Sequence, residues 1–259
     1  MNYNIPFLPE RSNKPRQKGL TMMMDKGLSV RETENFVSSS SEFTDLVKFG
    51  FGTSLITKNL NEKIKIYKDA GIIPYFGGTL FELFIARGMF DDYRKYIEKY
   101  NLELAEVSDG AIALNHDLKC EYIQKLSSQV TVISEVGSKD ASVEISPEQW
   151  NQMMKKELQA GSWKVIAEAR ESGNLGIYNS DGSSNKKLID TILHSVNKDD
   201  VIWEAPQKSQ QVWFIKLLGA EVNLGNIAPN EVISLETIRL GLRGDTVLSF
   251  LPEDIRKNF

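Results

Sequence analysis

Histidine and cysteine are nearly missing from this sequence, with two of the former and one of the latter in 259 residues. A single thiol, Cys120, forms no internal disulfide, so a reducing compartment is expected, by default the cytoplasm. His116 and His194 lie far apart in the chain. A zinc site or a histidine-based triad is therefore not expected, and any metal should be a hard ion held by oxygen. No apolar run approaches the roughly 20 residues of a membrane span. The opening segment, MNYNIPFLPERSNKPRQKG, lacks the apolar core of a signal peptide. A strong excess of one charge is absent too, since the net charge is −4 with mixed signs. That balance argues against nucleic acid or an anionic membrane as the main partner. There is no G-x-x-x-x-G-K-[ST], which excludes a P-loop. The nearest approach to G-x-G-x-x-G, Gly50-Phe51-Gly52-Thr53-Ser54-Leu55, lacks the third glycine and follows the second strand candidate instead of the first.

What is present is enough apolar residue, 41%, for a sizeable core. Short β-branched runs alternate with longer amphipathic ones. The strand candidates are Leu20 to Met24, Asp45 to Phe49, Ile72 to Phe76, Glu103 to Val107, Val130 to Glu135, Lys164 to Glu168, Val201 to Glu204 and Val222 to Leu224. Helical stretches such as LNEKIKIYKDAG, FDDYRKYIEKYN, SPEQWNQMMKKELQAG and NEVISLETIRLGLR lie between them. Ser146, Pro147 and Glu148 read as an N-cap followed by proline at the first helical position. Gly71 and Gly161 stand where a helix closes with a left-handed residue. Alternations of roughly 30 residues without a linker predict one α/β domain, a (β/α)8 TIM barrel spanning 1–259. A short N-terminal arm (about 1–18) and a C-terminal tail (about 247–259) flank it. The arm and the apolar tail suit either a contact in a homo-oligomer or a cap on the barrel bottom.

Four successive strands end in one phrase: Leu104-Ala105-Glu106-Val107, Ile133-Ser134-Glu135-Val136, Ile166-Ala167-Glu168-Ala169 and Ile202-Trp203-Glu204-Ala205. Side chains alternate faces along a strand, so each aliphatic residue shares a face with the glutamate two positions on. If that face is the barrel interior, four carboxylates converge beneath the mouth where barrel active sites lie. The alternative is a buried structural ion-pair network. Such a cluster needs cations. Lys48 ends strand two, Lys139 follows Glu135 by four residues, and Arg170 follows Glu168 by two. The remaining negative charge invites Mg²⁺, which prefers oxygen ligands and keeps several waters. Small glycine-bearing loops after the strands, among them Gly77-Gly78-Thr79, Ser108-Asp109-Gly110 and Gly225-Asn226, suit a small anionic substrate. Lys14, Arg16, Arg239 and Arg243 are placed by topology at the opposite, amino-terminal face, where barrel residues serve stability or subunit contact. Cys120, His116 and His194 are read as packing or surface residues.

The blocks KPRQKGLTMMMDKGL, DLVKFGFGTSL, GGTLFE, VSDGAIAL, SEVGSKD, VIAEARESG, GIYNSDG, EAPQKSQQ, VNLGNIAP and LETIRLGLRGDT resemble the phosphosulfolactate synthases, from about residue 13 to 246. The family is similar also to a plant heat-stress-associated protein. Phe51 stands where tryptophan is commoner, and Ala111 where threonine is frequent. The resemblance implies a (β/α)8 barrel that adds sulfite to phosphoenolpyruvate with Mg²⁺, giving (2R)-3-phosphosulfolactate. That product leads to coenzyme M in methanogens and to other sulfonates in bacteria. On this reading Lys139 is the proton donor to C2, with phosphate binding as its rival role. Lys48, Arg170, Lys208, Gly225 and Asn226 are the candidate substrate-binding residues. Glu135, Glu168 and Glu204 are the favoured metal ligands, with Asp25 and Asp109 in reserve. Two alternatives stand beside it: another Mg²⁺-dependent barrel lyase or aldolase acting on a phosphorylated enol or keto acid, and a non-catalytic stress-protection protein.

Overall fold

The structure is a computed structural model that describes residues 3–138 and 145–259. Strands β1 (Thr21–Asp25), β2 (Leu46–Phe49), β3 (Ile73–Phe76), β4 (Leu104–Val107), β5 (Thr131–Val136), β6 (Ser162–Ala167), β7 (Val201–Glu204) and β8 (Leu224–Ile227) alternate with helices. The helices are α1 (Val30–Ser40), α2 (Leu60–Asp69), α3 (Gly78–Ile85), α4 (Phe90–Lys99), α5 (His116–Ser127), α6 (Pro147–Gln159), α7 (Lys186–Leu193), α8 (Lys208–Leu218), α9 (Val232–Arg239) and α10 (Glu253–Arg256). The strands pair in the order β3-β2-β1-β8-β7-β6-β5-β4, all parallel. This is a nearly closed (β/α)8 TIM barrel, and each expected strand overlaps an observed one.

Local chemistry places the helix ends. Ser146 accepts from Gln149 N while the Gln149 side chain returns to the Ser146 backbone, with Pro147 at the first turn. Gly71 closes α2 at φ +66°, a conformation that costs glycine nothing. The last strand overlaps its expected range least, starting at Leu224 instead of Val222. Asn223 stands just before it. Its side chain accepts Leu20 N and donates to Asp199 O and Val201 O, capping the barrel floor, while its carbonyl accepts the Trp203 amide of β7.

Alternation within each strand builds two cores. Outward residues such as Val47, Val107, Val165 and Trp203 pack under the helices. Inward residues Leu20, Met22, Leu46, Tyr75, Leu104, Ile133, Ile166 and Ile202 fill the barrel. Burying a side chain of that kind is worth about 1.5–3 kcal/mol, so the register of every strand is held from both faces. At the amino-terminal end Arg239 donates to Ala220 O, Val222 O and Leu20 O, and Arg11 bridges Glu221 and Glu236. Arg16 pairs with Asp45 at 3.1 Å, and Lys14 donates to Ser41 O and Thr44 O. Lys14, Arg16 and Arg239 thus brace the barrel bottom, as the topology implied; Arg243 does not join them, bonding Ser234 in the first turn of α9 and Asp245, the partner of Lys208 at the start of α8. No described helix is long and apolar enough to cross a membrane.

Candidate active site

Two residues beyond the inner apolar layer, the same strand faces carry Met24, Lys48, Gly77, Glu106, Glu135, Glu168 and Glu204. All of them line one cavity of 330 Å³ at the carboxyl ends of the strands, together with Phe51, Thr79, Arg170 and Asn226. The repeated aliphatic-x-glutamate phrase therefore translates into a ring of carboxylates one layer above a ring of aliphatic side chains.

Lys48 is the centre of the ring. Its Nζ lies 2.9 Å from Glu106 Oε1, 3.0 Å from Glu135 Oε2 and 3.4 Å from Glu204 Oε1. Burial disfavours the ammonium, but Glu106, Glu135 and Glu204 outweigh it and hold the Lys48 pKa well above the ordinary lysine value. One cation does not balance the acids around it. Burial and Glu135 raise Glu106 against the pull of Lys48. Glu204 is pushed up to about 7, by burial first and then by Glu135 and Glu106, although Lys48 and the Ala169 N–H (2.9 Å) oppose this. Glu106 Oε2 is buried with no hydrogen-bond partner. Among the described residues, these raised carboxyls and the unpartnered Glu106 Oε2 suit a further cation.

Strand β8 breaks the alternation. Its register against β1 slips between Thr21 and Met23, so β8 carries one extra residue there. Gly225 becomes the inward residue. A Cβ on it would stand 2.2 Å from Met22 Cε, so Gly225 is a packing position beneath the cavity. Asn226 follows at φ +61°, a backbone region asparagine tolerates, and lines the cavity.

Of the residues chosen from sequence, Lys48, Arg170, Asn226, Glu135, Glu168 and Glu204 thus come together. Gly225 supports them from below. Lys208 does not join them: at the first position of α8 it points outward and pairs with Asp245 at 2.7 Å. Lys139 lies outside the described residues. Asp25 and Asp109 do not line the cavity. Because Met24 points inward, Asp25 must point outward, and there it takes Lys63 Nζ (2.7 Å), Tyr67 OH (2.8 Å) and the Gly27 and Leu28 amides. Asp109 pairs with Lys119 at 2.8 Å. Lys119 also meets Glu157 at 2.8 Å and donates to Glu135 O at 2.6 Å, and His116 joins Glu157 at 3.1 Å. Lys63 and Lys119 are fully buried. Their helical stretches alone give no sign of this, since the partners sit on other elements that only the fold brings alongside. Glu106 was visible in the repeated phrase, and its bond to Lys48 brings it into the site.

A parallel eight-stranded barrel with a buried lysine–carboxylate ring and an arginine at the carboxyl-terminal mouth is the architecture of a (β/α)8 enzyme. By structure the chain is similar to 3-hexulose-6-phosphate synthase from Salmonella typhimurium, with TM-score 0.53 and 13% identity over 86% of this chain and 100% of that one. It is similar also to 3-keto-L-gulonate-6-phosphate decarboxylase from Vibrio cholerae, with TM-score 0.53 and 10% identity over 91% of this chain and 100% of that one. Those identities speak for the fold alone. By sequence, the profile of the (2R)-phospho-3-sulfolactate synthase family matches residues 9–245. A phosphosulfolactate synthase of Bacillus subtilis is 41% identical over 242 residues, 92% of this chain and 96% of the relative. One from Methanothermobacter thermautotrophicus is 39% identical over 245 residues, 92% of this chain and 95% of the relative. The chain belongs to the (2R)-phospho-3-sulfolactate synthase family.

Proposed function

We propose that this protein adds sulfite to C3 of phosphoenolpyruvate in a Mg²⁺-dependent reaction that yields (2R)-3-phosphosulfolactate. The observation that carries the reading is the 41% identity, over 92% of the chain, to a relative of that name. The cavity supports it on physical grounds. Phosphoenolpyruvate carries close to three negative charges and sulfite up to two. At ~4 Å their six unit-charge pairs repel by roughly 6 kcal/mol even at the dielectric of water. Left uncompensated, that is about four decades in rate.

The chain's own groups divide the task. Arg170 offers the planar fork that grips a phosphate or carboxylate at two points. Asn226 and Thr79 bring neutral polar side chains to the same cavity. Lys48 is shared among three carboxylates, so it acts on the substrate through its field and by holding the ring in place. Attack by the sulfite sulfur lone pair on C3 forms the C–S bond and sends the C2–C3 π electrons towards the carboxylate. The proton that C2 then takes comes from Lys139, the cation next along the chain from Glu135.

The donor set suits magnesium in its sparse mode, one or two carboxylates completed by substrate oxygens and water. Among the described residues no three aspartate, glutamate, histidine or cysteine side chains close around one point. The raised carboxyls of Glu106 and Glu204 nonetheless favour a cation there, and Glu135, Glu168 and Glu204 are the carboxylates from which its one or two protein ligands would be drawn. Once bound, magnesium would neutralise the substrate carboxylate and the charge it gains as the C–S bond forms. An imine-forming aldolase is the weaker reading, because the three carboxylates keep Lys48 protonated and so without a nucleophilic lone pair. A single half-buried cysteine fits a reducing, cytoplasmic setting.

The test is phosphoenolpyruvate turnover with purified protein, sulfite and Mg²⁺, followed by ³¹P NMR. A sulfite-dependent phosphomonoester that vanishes with chelator is the expected result. Its absence across pH and divalent metals would overturn the proposal.

A further inference from the structure

The phrases GGTLFE and VSDGAIAL hold polar residues that the cavity does not account for. They meet at one place. Every neighbouring pair of strands around the barrel is joined by a ladder except β3 and β4, the two ends of the strand order. Among the described residues, what bridges this seam at its carboxyl end is a pair of buried carboxylates running in opposite directions. Glu106, on β4, accepts the amide of Gly78, just beyond β3, at 2.6 Å. Glu82, on α3, accepts from the Ser108 hydroxyl and, at 2.9 Å, from the Ala111 amide, both beyond β4. Glu82 is 2% exposed and Glu106 is not exposed at all. The two sides come so close that a Cβ on Gly78 would stand 2.1 Å from Ser108 Oγ and 2.8 Å from Glu106 Oε1.

We propose that Glu82 is a positioning residue for the active site, acting as the staple that sets the width of the β3/β4 seam. This rests on the reading of the cavity given above. Glu82 does not line the cavity, but both segments it ties together do reach it. Gly77 and Thr79 form part of its wall on one side of the seam, and Glu106 stands on the other. Elsewhere ladder hydrogen bonds resist a change in strand spacing. Here the spacing rests on side chains, so losing the staple shifts the Gly77-Gly78-Thr79 turn relative to Glu106 and draws Glu106 off Lys48. Charge-assisted bonds to buried donors are the strong kind, which suits a bridge that stands in for a ladder.

Two variants of the full chain separate this role from a purely structural one. Glu82→Ala removes both bonds. Glu82→Gln keeps an oxygen for the Ala111 N–H and offers its own amide to Ser108 Oγ, so it preserves the bridge without the charge. Amide hydrogen exchange on the free proteins reads the seam whatever the reaction is. In Glu82→Ala the amides around Gly78 and Ala111 should exchange about tenfold faster or more, while those of β6 and β7 stay protected. Glu82→Gln should remain close to wild type. With phosphoenolpyruvate and sulfite, Glu82→Ala should lose about 10²-fold in kcat/KM, the cost of misplacing reacting groups by about 1 Å, and Glu82→Gln should recover most of it. Should Glu82→Ala not fold, Ser108→Ala removes one bond alone and should show the same exchange pattern more weakly. Unchanged exchange at both turns, exchange raised uniformly around the barrel, or equal loss of activity in the alanine and glutamine variants would overturn the proposal. If the wild type itself turns over nothing, the proposed reaction fails while the exchange result still decides the role of Glu82.

Discussion

Replacing Glu204 by glutamine probes the charge balance of the cavity with no ligand present. Burial, Glu135 and Glu106 push the Glu204 carboxyl up from an ordinary 4.5 to about 7. A carboxyl that holds its proton more tightly in the folded chain than in the unfolded one supports the fold at low pH. That support is complete below about pH 4.5 and is lost as the pH rises through about 7. At roughly 1.4 kcal/mol per unit, the whole displacement amounts to about 3 kcal/mol. Of this, about 2 kcal/mol falls between about pH 5.5 and about pH 8. Glutamine keeps an oxygen for the Ala169 N–H but does not titrate. Whatever constant cost its amide meets beside Lys48, the stability advantage of wild type over Glu204→Gln should shrink by about 2 kcal/mol across that range. Urea denaturation of both proteins in chelator-containing buffer, at several pH values, measures it. Parallel stability–pH curves would refute the reasoning, because they would mean that Glu204 ionises in the folded chain as it does in the unfolded one.

Lys48→Met leaves three buried carboxylates without their shared cation and should cost about 3–5 kcal/mol near pH 8. The cost should be smaller near pH 5.5, where the carboxylates can neutralise themselves, and equal loss in urea melts at both values would contradict the ring described here. Lys119→Met strands Asp109 and Glu157 behind β5 and should also cost about 3–5 kcal/mol. A loss under about 1 kcal/mol would show that neither acid depends on Lys119. Arg170→Lys replaces a planar fork by a point charge, so KM for phosphoenolpyruvate should rise about tenfold or more in steady-state kinetics. An unchanged KM would place the anion elsewhere.

Much of this was legible in the sequence because the relevant rules are local. A period of two along each strand puts Leu104 with Glu106 and Ile133 with Glu135, and once the barrel is inferred its interior is the apolar side. The same alternation assigns Asp25 to the outer face, since Met24 precedes it. Lys208 went astray for a related reason. The loop after β7 does open at the mouth, but α8 begins within it, and the rotation of that first turn sends Lys208 outward to Asp245. No periodicity in EAPQKSQQ specifies that rotation.

By itself the sequence determined the barrel, its strand faces, the carboxylate layer and the arginine brace at the bottom. These follow from residue order within single elements and from short, right-handed strand–helix connections. Only the tertiary structure decided which charges neutralise one another. Lys48 is 87 residues from Glu135 and 156 from Glu204, and both lie within salt-bridge distance of its ammonium only because the barrel closes. The extra residue in β8 that turns Asn226 inward exists only against β1, and the Glu82 and Glu106 bridges exist only across the seam. Electrostatic and packing energies depend on distance in space, and chain separation of this order leaves that distance open until the fold sets it.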